Sequence, residues 1–258
     1  MVASPADRAP AVVLLDLDDV AVPFHTLGQW QWAWRPNGPA LSPVRFRAAV
    51  RRSLGAWDRR RWAGVVGRET PADLTALRAH LAEMLERIAG HAVPPAERTA
   101  VVERLLLPKG PVETHDDLLP SVARWGSAGV RVGIVTPLPR ASAEWLLRRA
   151  GIPRDLLVAT GDEATRPAVP AREAFRSAIE QLGGVARRTL FVGDLYWSDV
   201  HAARRAGLAA VLLDRHDLWP KVKDGRVTTL TAIDPTRELE HPAPPSADGN
   251  PDREPAGP

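Results

Sequence analysis

Short runs of apolar and often β-branched residues recur along the chain and predict buried strands. They cover residues 12–17 (VVLLDL), 130–135 (VRVGIV), 156–159 (LLVA), 189–192 (TLFV) and 209–213 (AAVLL). Between them lie amphipathic helical patterns, with apolar residues on one face at 118, 122 and 125, at 145, 146 and 150, and at 175, 178, 179 and 182. Strands that alternate with such helices predict an α/β fold with a doubly wound, mainly parallel sheet flanked by helices. Ligands of these folds bind at the carboxyl ends of the strands.

A long insertion, residues 24–112, separates the first two predicted strands and contains no strand-like run. Thr70-Pro71 is a plausible helix start, and apolar residues at helical spacing follow it: Leu74, Leu77, Leu81, Met84, Leu85 and Ile88. A second helical segment begins at Pro95. We therefore expect a small all-helical cap over a core formed by residues 1–23 and 113–234.

The C-terminal stretch, residues 235–258, is rich in proline, alanine and acidic residues and poor in large apolar ones. Such a composition buries too little surface to offset chain entropy, which predicts a disordered tail. The chain has no cysteine, which excludes disulfides, zinc–thiolate sites and thiol nucleophiles. Its longest N-terminal apolar run, residues 11–15, is far too short to span a membrane, so we expect a cytoplasmic protein.

Positive charge is concentrated in the insertion. The segment 24–107 has 13 arginines, no lysine and 7 acidic residues, a net charge of +6 in a chain whose total is +3. A basic segment beside an active site would attract an anionic ligand. An arginine-rich solvated surface explains the same pattern equally well.

Acidic residues follow the first predicted strand, in the run Asp16-Leu17-Asp18-Asp19-Val20. Two carboxylates spaced by one residue can face a single site if the chain turns there, so that one attacks an electrophile and the other moves a proton. An ordinary acidic turn is the alternative. Thr136 ends the second predicted strand, where a hydroxyl can donate to a bound oxyanion, although threonine is also common at strand ends.

A third motif follows the fourth predicted strand. Gly193 permits a tight exit from that strand, and the carboxylates of Asp194 and Asp199 are oxygen ligands of the kind that Mg²⁺ takes. The alternative is a turn followed by a helix that Asp199 caps.

Together the three motifs resemble the haloacid dehalogenase-like (HAD) superfamily, whose members carry DxD, a Ser/Thr, a basic residue and GDxxxD or GDxxxxD in this order. The resemblance covers roughly residues 11–215. Residues 165–183 (TRPAVPAREAFRSAIEQLG) are similar to the family's KPxPxxFxxAxxxLG segment, and 191–214 to its closing strand–loop–helix–strand unit. A long insertion directly after the first motif is similar to the subgroup with a helical cap.

The resemblance implies a hydrolase with a defined set of site residues. Asp16 would attack a phosphoryl group and become an aspartyl phosphate, while Asp18 would protonate the leaving alcohol and then activate water. Mg²⁺ would lie between the Asp16 carboxylate, the Asp18 backbone carbonyl and Asp194, with Asp199 as a further ligand, and Thr136 would hold a phosphoryl oxygen. Asp18 favours the phosphatase branch, because the dehalogenase branch lacks a carboxylate there.

Two positions depart from the family's pattern. Its basic residue is usually lysine, whereas Arg166 occupies the matching position here, with a planar group in place of a compact ammonium. Pro137 follows Thr136 and has no N–H, although family members often bind phosphate through the N–H at this position. Losing one oxyanion donor costs about 3 kcal/mol of transition-state stabilisation.

Tryptophans and arginines of the insertion are the remaining candidates. Trp30, Trp32, Trp34 and Arg35 could form an aromatic, cationic lid that contacts a substrate. Packing in a small helical core is the interpretation that we favour, because large aromatic side chains supply much of the burial in such cores. Nucleic-acid binding through this segment is a weaker hypothesis.

The sequence therefore predicts a Mg²⁺-dependent phosphatase that acts on a small phosphorylated metabolite. The departures at Pro137 and Arg166 motivate an alternative, a catalytically weak or silent binding or regulatory protein on the same fold. Substrate identity and oligomeric state stay open at this point.

Overall fold

A six-stranded sheet forms the centre of the part of the chain that the structure describes. The computed structural model describes residues 9–23, 27–35, 40–65, 74–106, 112–136, 138, 140–159, 172–222 and 224–242. The strands are β1 (Val12–Asp16), β2 (Arg131–Val135), β3 (Leu157–Ala159), β4 (Thr189–Gly193), β5 (Ala209–Leu213) and β6 (Arg226–Val227). Their order is β3-β2-β1-β4-β5-β6, and all neighbouring pairs are parallel. The five predicted strands are confirmed, and β6 is a two-residue edge strand that the sequence pattern did not predict.

Helices connect the strands and cover the sheet. They are α1 (Leu27–Trp34), α2 (Pro43–Val65), α3 (Leu74–Ala89), α4 (Pro95–Leu106), α5 (Leu118–Ser127), α6 (Arg140–Ala150), α7 (Arg172–Gln181), α8 (Ala202–Arg205) and α9 (Pro235–Glu240). None of the helices in the described part of the chain is both long and apolar enough to cross a membrane.

The two faces of the sheet bury alternate residues of each strand in separate hydrophobic layers. In β1, Val13 and Leu15 belong to the layer that contains residues of α5 and α6, whereas Val12 and Leu14 belong to the layer that contains residues of α7 and α8. Successive side chains of a strand point to opposite faces, so a strand covered on both sides must be apolar throughout. This explains the continuous apolar runs and confirms the doubly wound α/β architecture.

The described part of the insertion between β1 and β2 contains four helices, α1–α4, and a hydrophobic cluster of its own. The fully buried residues at its centre are Trp30, Ala33, Met84, Leu85 and Val101. Helices α3 and α4 correspond to the two predicted helical segments, although the predicted start at Thr70-Pro71 lies outside the described residues. Helices α1 and α2 were not predicted. The division of the chain into a core and a cap stays a prediction.

The disordered tail was predicted to start at residue 235, and this start is wrong because residues 235–240 form a short helix. Helix α9 begins at Pro235, and the Asp234 side chain caps it by accepting hydrogen bonds from the N–H groups of Thr236 (3.0 Å) and Arg237 (3.4 Å). A capping aspartate followed by proline at the first helical position stabilises a helix start even in a polar sequence. Residues 243–258 lie outside the described part.

Candidate metal and phosphoryl-transfer site

Strand pairing brings the predicted motifs to one edge of the sheet. Asp16, the last residue of β1, lies opposite Val135 of β2, and Leu15 lies opposite Val192 of β4. Thr136 and Asp194 therefore follow the two neighbours of β1 at nearly the same level. Parallel strands end at the same edge, so motifs far apart in sequence converge there.

The first acidic loop, residues 17–22, is a tight turn directly after β1. The Leu17 carbonyl accepts hydrogen bonds from the N–H groups of Ala21 (3.1 Å) and Val22 (2.9 Å), and the Asp19 N–H donates to the Val22 carbonyl (2.8 Å). Asp19 has a φ of 52°, in the left-handed region that aspartate tolerates better than most residues. The turn holds Asp18 next to the end of β1, and the role of its carboxylate stays a prediction.

A half-buried arginine that the sequence analysis missed supports this first loop. The Arg215 guanidinium donates to the backbone carbonyls of Asp19 (3.2 Å) and Val20 (3.3 Å) and forms two hydrogen bonds with the Asp117 carboxylate (3.0 and 2.8 Å). Burial alone would raise the pKa of Asp117, but the hydrogen bonds from Arg215 and from the Leu230 N–H (2.8 Å) outweigh it and lower this pKa. Asp117 thus stays charged and holds Arg215 against the loop.

Two histidines lie beside the same loop. The His216 imidazole Nε2 is 3.8 Å from the Asp19 carboxylate, an ion-pair distance. Burial alone would lower the pKa of His216, but the carboxylates of Asp19 and Asp214 raise it. Burial and the positive charge of Arg215 lower the pKa of His115 to about 4. The surroundings of the two imidazoles therefore shift their pKa values in opposite directions, favouring the protonated form of His216 and the neutral form of His115.

The second acidic loop leaves β4 at Gly193 and continues into a wide π-helical turn, Tyr196–His201. The Asp199 carboxylate accepts a hydrogen bond from the Leu195 N–H (3.0 Å), and the Ser198 hydroxyl lies 3.4 Å from its other oxygen. A Cβ on Gly193 would lie 2.5 Å from the Cβ of Asp199 and 2.7 Å from its Oδ2, so only glycine fits this approach. Asp199 is thus fixed directly against the end of β4.

Three carboxylates meet, one from the end of β1 and two from the loop after β4. Asp16, Asp194 and Asp199 each place one carboxylate oxygen within 4.8 Å of the other two. Asp194 is 8% exposed and Asp199 5% exposed. Burial, and then the negative charges of Asp199, Asp19, Asp16 and Asp18, raises the pKa of Asp194 well above its usual value. A divalent cation that takes oxygen ligands would relieve this repulsion, so the donor set fits such an ion.

Asp18 follows β1 and Thr136 follows β2, both at the same edge of the sheet as the three carboxylates. Asp18 was predicted to contribute its backbone carbonyl, and that carbonyl accepts a hydrogen bond from the Val20 N–H (2.7 Å). The Thr136 side chain is buried, and its oxygen accepts a hydrogen bond from the Leu138 N–H (3.2 Å). This bond uses the oxygen as an acceptor, so the hydroxyl hydrogen can still be donated. Arg166 and Pro137 lie outside the described residues.

The tryptophans predicted as substrate contacts lie in the insertion. Trp30 and Trp34 are buried in its hydrophobic cluster, Trp32 packs against the cluster, and the exposed Arg35 guanidinium lies 4.8 Å from the Trp34 ring centroid. The Trp34 indole N–H donates to Glu97 of α4 (2.8 Å). These contacts support the packing interpretation for Trp30 and Trp34. Substrate contact stays a prediction for the more exposed Trp32 and Arg35.

Asp58 is a second residue of the site region that the sequence analysis missed. It is fully buried, although it belongs to the arginine-rich helix α2 of the insertion, and it bonds to the second acidic loop. The only sequence signal is composition, because Asp58 is the single acidic residue of α2 beside seven arginines.

Comparison with known proteins gives consistent results. A model of the haloacid dehalogenase-like hydrolase family matches residues 10–207, most of the chain. A phosphoglycolate phosphatase of Rhodospirillum rubrum is 29% identical over 211 residues, which cover 79% of each of the two chains.

Solved structures with a similar fold include a dehalogenase and a HAD hydrolase of Bacillus subtilis bound to magnesium. The dehalogenase has a TM-score of 0.60 and 16% identity, covering 87% of this chain and 95% of that one. The Bacillus subtilis protein has a TM-score of 0.58 and 17% identity, covering 87% and 96%. At such low identity these likenesses show the fold alone.

Proposed function

The chain belongs to the haloacid dehalogenase-like hydrolase family, and we propose that it is a Mg²⁺-dependent phosphatase acting on a small phosphorylated metabolite. The observation that carries this proposal is the convergence of Asp16, Asp194 and Asp199, whose carboxylate oxygens lie within 4.8 Å of one another at the carboxyl edge of the sheet. Phosphatase chemistry explains why a fold would concentrate carboxylates there. An attacking carboxylate needs positive charge beside it before it can approach a phosphate dianion.

The metal site would use the carboxylates of Asp16, Asp194 and Asp199 together with the Asp18 backbone carbonyl. Mg²⁺ takes oxygen ligands and is often held by a few carboxylates plus water and substrate phosphate, which suits this set. When bound, the ion would neutralise charge on the phosphoryl oxygens and on the attacking carboxylate. Burial and then the neighbouring carboxylates raise the pKa of Asp194, and a bound cation would balance the negative charge of this group.

The reaction would proceed in two steps on Asp16. Its carboxylate attacks phosphorus, the bond to the ester oxygen breaks, and Asp18 donates its proton to the leaving alcohol. The Asp18 carboxylate then takes a proton from water, the resulting hydroxide attacks the phosphorus of the aspartyl phosphate, and inorganic phosphate leaves Asp16 free again. The Thr136 hydroxyl would donate to a phosphoryl oxygen, and Arg166 would supply the positive charge that lysine supplies in the family's pattern.

Two observations favour a phosphatase over a dehalogenase. The presence of Asp18 is one, because a halide leaving group needs no proton and so no acid at that position. The other is the relative from Rhodospirillum rubrum, a phosphoglycolate phosphatase. A small phosphorylated acid is therefore the first substrate class to test.

The departures at Pro137 and Arg166 motivate one alternative, a catalytically weak or silent protein that keeps the fold and the cation site. Pro137 removes an N–H that family members often use to bind phosphate, and losing one such donor slows a reaction about a hundredfold. This alternative predicts cation binding without turnover.

Phosphate release from a panel of phosphate esters tests both functions. With Mg²⁺ present, we expect turnover of at least one small phosphorylated acid, and a loss of at least about 1,000-fold in Asp16→Asn, which removes the nucleophile. Asp155→Asn is the matched control, because Asp155 is exposed and lies on the connection into β3, outside both acidic loops. Turnover that Asp16→Asn leaves intact would refute the assignment of the nucleophile. Mg²⁺ binding with no turnover across the panel would instead favour the silent protein.

A further inference from the structure

Helix α2 of the insertion contacts the cation-binding loop through one buried carboxylate. Asp58 is fully buried, and its two oxygens accept hydrogen bonds from the backbone N–H groups of Trp197 (2.8 Å) and Ser198 (2.8 Å). These two residues lie between Asp194 and Asp199, which the proposed function assigns to the cation. Asp58 is thus joined directly to the segment that sets the separation of the two ligands.

The N–H groups that Asp58 binds belong to the first turn after β4. The first N–H groups of a helical segment have no partner within it, and buried N–H groups need one. Asp58 supplies both acceptors, while Asp199 accepts the neighbouring N–H of Leu195 (3.0 Å). The loop is therefore held from two directions, by its own ligand residue and by the insertion.

An aspartate suits this position better than a similar residue would. A carboxylate offers acceptor oxygens to both N–H groups, whereas an asparagine offers one oxygen and would direct its own NH₂ at the second donor. Burying a charge is costly unless it is hydrogen-bonded, so a fully buried Asp58 depends on these bonds. The same bonds also depend on α2 being docked against the loop.

A second contact of α2 with the core provides a natural comparison. Arg51 lies seven residues before Asp58, about two helical turns away on the same face, and its guanidinium is 3.5 Å from the Asp217 carboxylate. The Arg51 and Asp217 side chains are 47% and 57% exposed, so this ion pair is solvated. It joins α2 to the loop after β5 rather than to the loop of the cation ligands.

We propose that Asp58 is a positioning residue through which the insertion sets the geometry of the cation site. The inference rests on the proposed function only in taking Asp194 and Asp199 as ligands of Mg²⁺. Docking of α2 fixes the Trp197 and Ser198 backbone, and this backbone fixes the two carboxylates at the spacing that the cation needs. Cation binding and docking of the insertion therefore stabilise each other, since coupling between two equilibria is reciprocal.

Calorimetric titration with Mg²⁺ alone tests this role in the full chain. Asp58→Asn keeps the shape of the side chain but loses the charge and one acceptor, and we expect it to weaken Mg²⁺ binding about tenfold or more, as substitutions of groups that orient metal ligands do. Arg51→Ala is the control, because it removes a contact between α2 and the core without touching the cation loop. We expect its Mg²⁺ affinity to stay within about twofold of the wild type.

Steady-state kinetics separate positioning from a general loss of fold. At saturating Mg²⁺, Asp58→Asn should recover most of its kcat, and the substrate KM should change less than the Mg²⁺ concentration required for half-maximal activity. Equal Mg²⁺ affinity in Asp58→Asn and the wild type would overturn the inference. Wild-type protein that binds no Mg²⁺ would refute the cation site itself, which is a failure of the proposed function and a different result.

Hydrogen exchange on the wild type removes any dependence on whether the variant folds. Saturating Mg²⁺ should slow deuterium uptake in peptides of the loop that contains Trp197 and, in parallel, in peptides of α2 around Asp58. Protection of the loop with unchanged exchange in α2 would contradict the reciprocal coupling.

Discussion

The two acidic loops of the site leave neighbouring parallel strands, yet different parts of the molecule hold them in place. The first, after β1, is held by the core: Arg215 donates to its backbone carbonyls, and Asp117 holds Arg215. The second, after β4, is held by its own Asp199 and by Asp58 of the insertion. In the described part of the chain, residues of the core thus support the loop after β1, whereas the insertion contributes directly to holding the loop with two proposed cation ligands.

This difference suggests that the two halves of the site, the loop after β1 and the loop after β4, contribute to function in different ways. A nucleophile held by the core keeps its place whether or not a substrate is bound. Cation ligands that depend on a docked helix reach their geometry only when that helix is in place. Substitutions in the two halves should therefore have different signatures, with losses of fold stability and kcat for the first loop and losses of Mg²⁺ affinity for the second.

Among substitutions that disturb the support of the two loops, the largest effect is expected at the close approach between Gly193 and Asp199. In Gly193→Ala the new Cβ would lie 2.5 Å from the Cβ of Asp199, so the loop must shift. Displacing a site group by about 1 Å can cost a hundredfold in rate, and we expect losses of at least about this size in both phosphatase activity and Mg²⁺ affinity. Activity assays and calorimetry measure the two.

Gly126→Ala is the matched control for this experiment. Gly126 lies in α5, and a Cβ there would meet nothing within 4 Å. Because alanine is the better helix former, the control should be unchanged or slightly stabilised, by up to about 1 kcal/mol. A Gly193→Ala protein with wild-type Mg²⁺ affinity would show that the second loop is more tolerant than its packing implies.

The next largest effect concerns the support of the first loop. Arg215→Met removes two hydrogen bonds to the loop and leaves the Asp117 carboxylate without its guanidinium partner. The Arg215 and Asp117 side chains are 13% and 14% exposed. We therefore expect the free energy of unfolding to fall by about 2–3 kcal/mol, somewhat less than for breaking a fully buried ion pair. We also expect kcat to fall about tenfold, with a smaller change in Mg²⁺ affinity than in Asp58→Asn.

A double variant separates the two roles of Arg215. Adding Asp117→Asn to Arg215→Met removes the uncompensated charge, so urea unfolding should show that much of the lost stability returns. The kcat should stay low, because the carbonyls of Asp19 and Val20 still lack their donor. Full recovery of kcat in the double variant would mean that Arg215 acts through stability alone.

The strand-end motifs could be predicted from the sequence because each depends on a local pattern. An apolar run predicts a buried strand, and a parallel sheet places the residues after such runs at one edge. Asp16, Asp194 and Asp199 meet for that reason. Asp234-Pro235 is also a local signal, a capping residue followed by proline at the first helical position. The polar composition of residues 235–258 led to the prediction of a disordered tail instead.

The supports of the loops could not be predicted because they depend on contacts between distant segments. Asp58 and Trp197 are 139 residues apart, and Arg215 and Asp117 are 98 apart. Asp58 meets the N–H groups of Trp197 and Ser198 only because α2 packs on the core in one particular way. The spacing of residues along the sequence does not predict this packing. Strand β6 was missed for a different reason, because two residues are too few to produce a periodic pattern.

The smallest expected effect is a pH dependence on the side of the first loop. The pKa of His115 is lowered from 6.5 to about 4, so between these values the unfolded chain takes up a proton that the folded chain does not. Stability is therefore complete above pH 6.5 and falls as the pH drops toward 4. A full shift of this size corresponds to about 3 kcal/mol, which solvent reduces to about 1–2 kcal/mol for a partly exposed ring.

Denaturant unfolding at several pH values measures how stability depends on pH, and it can compare the contribution of His115 with that of the neighbouring His216. His115→Gln should remove the loss between pH 6.5 and 4 and flatten that part of the stability curve. The pKa of His216 is raised instead, so its contribution is complete below pH 6.5 and is lost as the pH rises through its folded value. His216→Gln should therefore change the pH dependence in the opposite direction. If the two variants change the curve in the same direction, the pKa values of the two histidines are not shifted in opposite directions.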